Sequence, residues 1–506
     1  MKQDEFRNRY IIKVGSSVLI AVFNLIIQLI LPRALSVEEY GIYNYNLNVF
    51  TSVVVMLNLS TSNALVAKFS KRNEEIGLVN FYLKYFGIVA ILLNVAIIIL
   101  YPLEIFQATF IGQTFFIVLL GLDVAILNKL LTDSVALYDA CAISRFPAMM
   151  QMILKAIISV IVIIGYFVGK INLLYFYMIQ VAVMTSVVLV MLIAILRFQK
   201  RSYPQKKDLG WKVYLKEYYI FCKPLVLATV VAQIVIIVMN WALMKWSGTT
   251  AQAMFGAAWQ FNALISYVFS PYAELSKREF AVLHDNQEML KVKFLQALRM
   301  MMWITSYFAI FIGFAAEWIL PIVYGDKYAG AETVTILIMF YTVYQAWGQI
   351  TGAYMIALEK TKLNAVVAVI GQVLTLLFVF LFQIPNFIWP NSLGEVGIAL
   401  NYLVANIIST TIFVCAISKD LKLSAIRTWS IQFPPILICT SLTVVLKSIL
   451  DTVMIGETIF WCIIKTLIAG ISYTAIVGLV LYTRPQFIGV SKESLRNLLK
   501  IKGRKA

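Results

Sequence analysis

Lys13, Lys84, Lys129, Lys155, Lys245, Arg299, Lys447 and Lys465 all sit inside long apolar runs, with only Asp123, Asp133, Glu274 and Glu317 to set against them. A charge at the middle of a bilayer costs at least ~2.5–3.5 kcal/mol on insertion scales, so each needs a partner, a route to the interface or a function. Lys129 and Asp133 are four apart and pair along one helix. Lys245, Glu274, Arg299 and Glu317 lie near the ends of their runs, where long side chains snorkel to the interface. Lys84 and Asp123 fall at compatible depths in consecutive runs and are expected to neutralise each other. Lys13 and Lys155 have no acidic partner in reach, and Gln151 precedes Lys155 by one turn. These two lysines are the candidate cations of a hydrated cleft.

Amide and hydroxyl side chains form stripes at helical spacing. Asn44, Asn48, Thr51, Asn58 and Ser62 share one face, as do Thr229, Gln233 and Asn240, and then Asn262, Ser266 and Ser270. Such residues either glue helices together, at about 0.6 kcal/mol each, or line a wet cavity. Carboxylates are the missing element: the first run, Tyr10 to Leu31, holds none. Exporters of cations coupled to protons or sodium need acids deep in the membrane, whereas lysines and amides suit an anionic, hydroxyl-rich ligand. The one histidine, His284, lies in a loop, which excludes a histidine proton relay in the membrane. The five cysteines show no metal-binding spacing with it, so neither a metal nor another cofactor is expected.

The elements that must position these groups follow from composition. A chain of 506 residues that is 61% hydrophobic and 13% charged is not a soluble globular protein. Its apolar runs are long enough to cross a bilayer, where unsatisfied backbone groups force helices. The expected spans are 10–31, 42–67, 78–101, 108–132, 146–168, 172–196, 223–246, 251–274, 297–320, 331–356, 363–384, 396–417, 431–450 and 458–482. This is an all-α polytopic membrane protein of about 14 transmembrane helices, both termini on one side. Loop Lys and Arg crowd onto that side, with Arg33, Lys170 and Lys327 on the other, so the termini are expected to be cytoplasmic. The net charge of +17 is spread over these loops and points to no nucleic acid.

The longest polar interruption is 197–222. It carries Arg197, Lys200, Arg201, Lys206, Lys207, Lys212 and Lys216 against Asp208 and Glu217. Its end reads as an interfacial helix, with Trp211, Tyr214, Leu215 and Tyr218 on one face and Lys212 and Lys216 on the other. It divides the chain into an N-terminal six-helix bundle (1–196), the basic linker (197–222), a C-terminal six-helix bundle (223–418), and two extra helices with a basic tail (419–506). Leu495, Leu498 and Leu499 among Lys492, Arg496 and Lys500 suggest a second interfacial helix there. A weak echo links Tyr40-Gly41-Ile42-Tyr43 to Phe255-Gly256-Ala257-Ala258, as two bundles related by a pseudo-twofold axis would produce.

Arg33-Ala34-Leu35-Ser36-Val37-Glu38-Glu39-Tyr40-Gly41-Ile42-Tyr43 resembles the R-x-L-G-x-x-x-Y-G-x-Y segment of bacterial polysaccharide flippases. Those proteins belong to the multidrug/oligosaccharidyl-lipid/polysaccharide exporter superfamily. Lys223-Pro224-Leu225 and Tyr324-Gly325-Asp326-Lys327-Tyr328 resemble, respectively, the entry to their second half and their external G-x-x-Y turn. The likeness spans roughly 1–420; Ser36 stands where the family usually has glycine, and Asn240 where many members have aspartate. The resemblance implies a flippase, not an enzyme, in the bacterial cytoplasmic membrane. It would export undecaprenyl-diphosphate-linked oligosaccharide (O-antigen or capsule repeat units) by alternating access, in company with a polysaccharide polymerase and glycosyltransferases. The candidate ligand-binding residues are then Lys13, Asn44, Asn48, Asn58, Gln151, Lys155, Gln233, Asn240 and Asn262. Arg33, Glu39, Tyr40 and Gly41 are expected to shape the external turn, Gly41 by permitting close approach. The alternatives are a multidrug exporter on the same fold and a membrane glycosyltransferase or polymerase. The short external connections, the longest 385–395, leave a polymerase no domain for catalysis.

Overall fold

The computed structural model of the chain describes residues 6–72, 74–141, 143–169, 171–202, 209–456 and 458–489. The Lys13 side chain, Lys170, linker positions 203–208 and the tail around Leu495 lie outside the described residues. Helices fill the remainder, with no strand among the described residues. Among the described residues, eleven helices are long and apolar enough to cross a membrane, or twelve when one bent pair is counted as a span. The protein is a multi-pass helical membrane protein.

Two compact units divide the chain between Ala253 and Met254. The first holds α1 (Phe6–Ala34), α2 (Val37–Asn58), α3 (Thr61–Phe69), α4 (Ile76–Leu100), α5 (Glu104–Thr109), α6 (Phe115–Ala140), α7 (Arg145–Val168), α8 (Leu173–Ser202) and the start of α9 (Trp211–Val282). Within it α1 packs on α7, and α6 packs on both α2 and α8. Its outward surface is apolar: Ile91, Leu92, Ile98 and Ile99 of α4 are exposed, as side chains facing lipid are expected to be.

At ~1.5 Å per residue, the 72 residues of α9 would run over 100 Å, far beyond a ~30 Å hydrocarbon core. The helix breaks at Gly248, where φ is 80° and ψ −172°, a conformation that favours glycine. The expected segments 223–246 and 251–274 fall on either side of that residue. Trp211–Cys222 continues into the following segment as helix with no break at Lys223. Tyr214 and Tyr218 of the predicted interfacial face are buried against Phe81 of α4, whose ring centroid lies 4.8 Å from that of Tyr218. Leu215, on the same stripe, is exposed.

The second unit contains the rest of α9, α10 (Gln287–Phe314), α11 (Ala316–Tyr324), α12 (Glu332–Ala357), α13 (Thr361–Gln383), α14 (Gly394–Asp420), the short α15 (Ala425–Trp429), α16 (Phe433–Val453) and α17 (Ile459–Thr483). α12 packs against both α10 and α14, which accounts for its mixed composition. A helix surrounded by protein keeps Thr335, Thr342 and Thr351 buried and need not be apolar throughout. α16 docks on α10 and α17 on α11. Two ion pairs fasten these last helices: Lys447 to Glu317 at 2.7 Å, and Lys465 to Asp451 at 2.7 Å. Trp318 Nε1 also donates to Asp451 at 3.1 Å. The Tyr324-Gly325 turn is anchored inward, the Tyr324 hydroxyl donating to the Ala257 carbonyl at 3.2 Å.

Candidate functional site: a polar cavity at a broken helix

The run Asn58-Leu59-Ser60-Thr61-Ser62-Asn63 interrupts an apolar stretch with side chains that compete for backbone hydrogen bonds. α2 ends there because Leu59 and Ser60 both take the left-handed region, with φ of 50° and 61°. For residues with a side chain that conformation costs roughly 1–2 kcal/mol apiece. α3 resumes at Thr61, bent by 55°. Local bonds hold the break: Thr61 Oγ1 donates to the Asn58 carbonyl at 2.7 Å, and Asn58 Oδ1 accepts from Ser62 Oγ at 3.2 Å. Broken helices are tolerated at membrane depth where they are enclosed by protein or line a wet cavity.

A cavity of ≈ 430 Å³ opens beside this break, lined by Thr51, Asn58, Ser60, Ser62, Lys129 and Thr229 among others. Its cation is Lys129, on α6. The Lys129 ammonium donates to Asp133 Oδ1 at 2.5 Å and to Ser62 Oγ at 2.9 Å. The other Asp133 oxygen accepts the Tyr82 hydroxyl, and Asn58 Nδ2 donates to that hydroxyl at 3.2 Å. Ser60 Oγ lies 3.3 Å from Thr229 Oγ1 on α9. α4, α6 and the break therefore close one ring of hydrogen bonds around a lysine whose carboxylate partner is only 4% exposed, and the Ser60–Thr229 contact brings α9 alongside it. An ammonium, three amides (Asn58, Asn63 and Asn128) and several hydroxyls suit phosphate and sugar oxygens. Among the described residues no group of His, Cys, Asp and Glu could hold a metal ion.

The candidate residues separate into groups. Asn58 lines the cavity. Asn44, Asn48 and Asn240 instead join or brace helices. Asn48 Nδ2 donates to Asn240 Oδ1 at 3.1 Å, Gln252 Nε2 donates to the same oxygen at 2.7 Å, and Asn44 Nδ2 donates to the Tyr40 carbonyl at 2.8 Å. Gln151, Lys155 and Gln233 are half-buried and do not line the cavity. Asn262 lies in the second unit, where its Oδ1 accepts from Thr342 at 3.0 Å. Lys84 and Asp123 do not pair: Asp123 accepts from Asn94 Nδ2 at 3.2 Å, an amide one helix away having met the carboxylate first.

The turn residues are built into the fold. Ser36 Oγ accepts the Glu39 amide at 3.1 Å while Glu39 Oε2 accepts the Ser36 amide at 3.1 Å, a reciprocal cap at the start of α2. That explains a serine at Ser36, since glycine has no oxygen to cap with. Glu39 Oε1 also accepts the Leu173 amide at 3.0 Å. Tyr40 is buried and stacks on Tyr43. At Gly41 a Cβ would lie 2.0 Å from the Thr249 carbonyl oxygen, so the residue must be glycine. Arg33 is half-buried at the end of α1.

Beyond the membrane segments, Glu217 receives Arg72 Nη2 at 2.5 Å and Lys68 Nζ at 3.2 Å, tying the end of α3 to the start of α9. The hydrogen bond from Arg72, helped by Lys68, holds the Glu217 carboxyl below the usual carboxylate range.

These features define a polytopic all-helical fold with a charged, amide-lined cavity at a broken helix. Neither a family model nor a curated protein matches the chain. Among solved structures, the lipid II flippase MurJ in its inward closed conformation shares the fold, with a TM-score of 0.67 at 14% identity over 94% of this chain and 98% of that one. An inward-facing multidrug resistance MATE family transporter of the MOP superfamily aligns with a TM-score of 0.58 at 15% identity over 80% of this chain and 95% of that one. At such identities the likeness is one of fold.

Proposed function

We propose that the protein is a flippase for undecaprenyl-diphosphate-linked oligosaccharide, moving repeat units from the inner to the outer leaflet of a bacterial cytoplasmic membrane for surface polysaccharide synthesis. The observation that carries this reading is the Lys129 cavity: one ammonium held among Asn58, Ser60, Ser62 and Thr229. A diphosphate accepts from the ammonium and the hydroxyls, while sugar hydroxyls exchange bonds with the amides. Alternating access of two six-helix bundles would carry the headgroup across while its chain stays in lipid. The resemblance of the Arg33–Tyr43 segment to polysaccharide flippases and the MurJ-like fold support it.

A second reading, a multidrug exporter, is favoured by Asp133, an acid behind the cavity wall. Asp133 does not line the cavity whereas Lys129 does, so an organic cation entering it would meet the ammonium rather than the carboxylate. The discriminating experiment reconstitutes the protein in vesicles containing a labelled undecaprenyl-diphosphate oligosaccharide. Headgroup exposure to an external sugar-specific enzyme is then compared with efflux of a cationic dye. Protein-dependent flipping without dye efflux is expected; dye efflux alone would replace the first reading with the second.

A further inference from the structure

The helix break has a second cavity on its other side. This one, of ≈ 320 Å³, is lined by Leu59, Thr61, Phe81, Tyr85, Tyr218 and Val226 among others, and is almost entirely apolar. Consecutive residues of the break face the two spaces in alternation: Asn58, Ser60 and Ser62 line the polar cavity, Leu59 and Thr61 the apolar one. α9 does the same, Thr229 facing the polar cavity and Val226, about one turn earlier, the apolar one. Lys223, which is exposed, is among the residues lining the apolar cavity. The left-handed backbone at Leu59 and Ser60 is what turns neighbouring side chains to opposite sides.

We propose that the apolar cavity receives the head-proximal part of the hydrocarbon chain of the same amphiphile whose anionic head occupies the Lys129 cavity. This rests on the headgroup reading above and adds to it a recognition site for the chain. Its volume is at the small end of the ~300–1,000 Å³ range of ligand pockets, enough for the first few isoprenyl carbons, with the remainder of the chain left in lipid. A paired polar and apolar recess sharing one wall selects for a head joined directly to a chain. It discriminates against free phosphates, which leave the apolar recess empty, and against neutral lipids, which give Lys129 nothing to bind.

The test uses the full chain in nanodiscs, with farnesyl diphosphate and inorganic pyrophosphate as probes. Val226→Trp fills the apolar cavity; it should weaken farnesyl diphosphate at least tenfold and leave pyrophosphate within twofold. Unchanged farnesyl diphosphate affinity overturns the proposal, and so does an equal loss for both probes, which would mean a general distortion. Lys129→Gln should weaken both probes. If it weakens neither while Val226→Trp still weakens farnesyl diphosphate, the chain site stands and the headgroup reading falls. Photocrosslinking of the unmutated protein with a diazirine-bearing farnesyl diphosphate needs no variant to fold. Adducts should map to the peptides holding Tyr85 and Tyr218–Val226; adducts confined to other helices sink the proposal. Displacement of the probe by excess phosphatidylglycerol at comparable affinity would make bulk lipid the occupant and likewise overturn it.

Discussion

Lys129 Nζ lies 2.5 Å from Asp133 Oδ1, one turn further along α6, so the cation of the polar cavity is also half of a buried ion pair. Its role in binding therefore has to be separated from its role in holding α6 together. Removing one member of a buried pair costs about 3–5 kcal/mol because the other charge is stranded. Lys129→Gln should lower thermal stability markedly and abolish flipping. Lys129→Gln combined with Asp133→Asn removes both charges and should recover most of the stability, yet flip at least tenfold more slowly than the unmodified protein. Restored transport in the double variant would make Lys129 a purely structural residue.

Gly41 offers a sharper structural test. A methyl there meets the Thr249 carbonyl, and a backbone oxygen cannot swing aside as a flexible side chain can. Gly41→Ala should destabilise by about 1–3 kcal/mol, the usual cost of overpacking. Gly87→Ala, on α4 with nothing within 4 Å of the added carbon, should be neutral or stabilising by up to about 1 kcal/mol. Thermal unfolding in one detergent compares the pair, and equal melting temperatures would contradict the close approach.

Most of the fold was legible because apolar run length is a one-dimensional signal; the Lys129–Asp133 pair was legible because it is local to one helix. The cavity was not. Asn58 and Ser62 read as part of a polar stripe on an unbroken helix, but the left-handed turn at Leu59 and Ser60 between them depends on partners from α4, α6 and α9. A cluster of Ser, Thr and Asn inside an apolar run was the available signal for a break. The Lys84–Asp123 pairing failed for the complementary reason. Asn94, which does meet Asp123, lies ten residues and about 15 Å further along α4 than Lys84, so the shared depth assumed for Lys84 and Asp123 was wrong: how far one helix slides past its neighbour is set by packing.

Glu217 makes the clasp between α3 and α9 sensitive to acid. Its carboxyl is held below the ordinary value, so the clasp's contribution is fully present above the unfolded pKa of ~4.3 and is lost as pH falls through the folded value. Glu217→Gln should cost about 1 kcal/mol at neutral pH, as befits a partly exposed pair. The gap in melting temperature between variant and parent should shrink steadily below about pH 4. A gap that stays constant down to pH 3 would mean the Arg72 contact contributes nothing.

Orientation is testable without any substrate. With the native cysteines replaced, Asn172→Cys and Asn391→Cys should react with an impermeant thiol reagent added to intact cells, and Gln205→Cys should not. Lys and Arg crowd onto the loops of the side that carries position 205, and such loops are retained in the cytoplasm. Labelling at position 205 alone would invert the chain and with it the direction of transport.

Membrane potential should power outward flipping. A diphosphate headgroup carries about two negative charges, and full transfer of each is worth roughly 2.3 kcal/mol per 100 mV, so about 4.6 kcal/mol for both. The interior of the cell is negative, which favours movement of an anion outward. Asp133 is already matched by Lys129, and Asp123 accepts from Asn94, so neither stands as an unsatisfied acid waiting for a coupling cation. Vesicles given a potassium diffusion potential, negative on the cytoplasmic face, should therefore flip lipid-linked oligosaccharide outward faster with no proton or sodium gradient present. If a sodium or proton gradient drives flipping while the potential does nothing, electrophoretic export is wrong, and Asp123→Asn and Asp133→Asn become the variants that locate the coupling site.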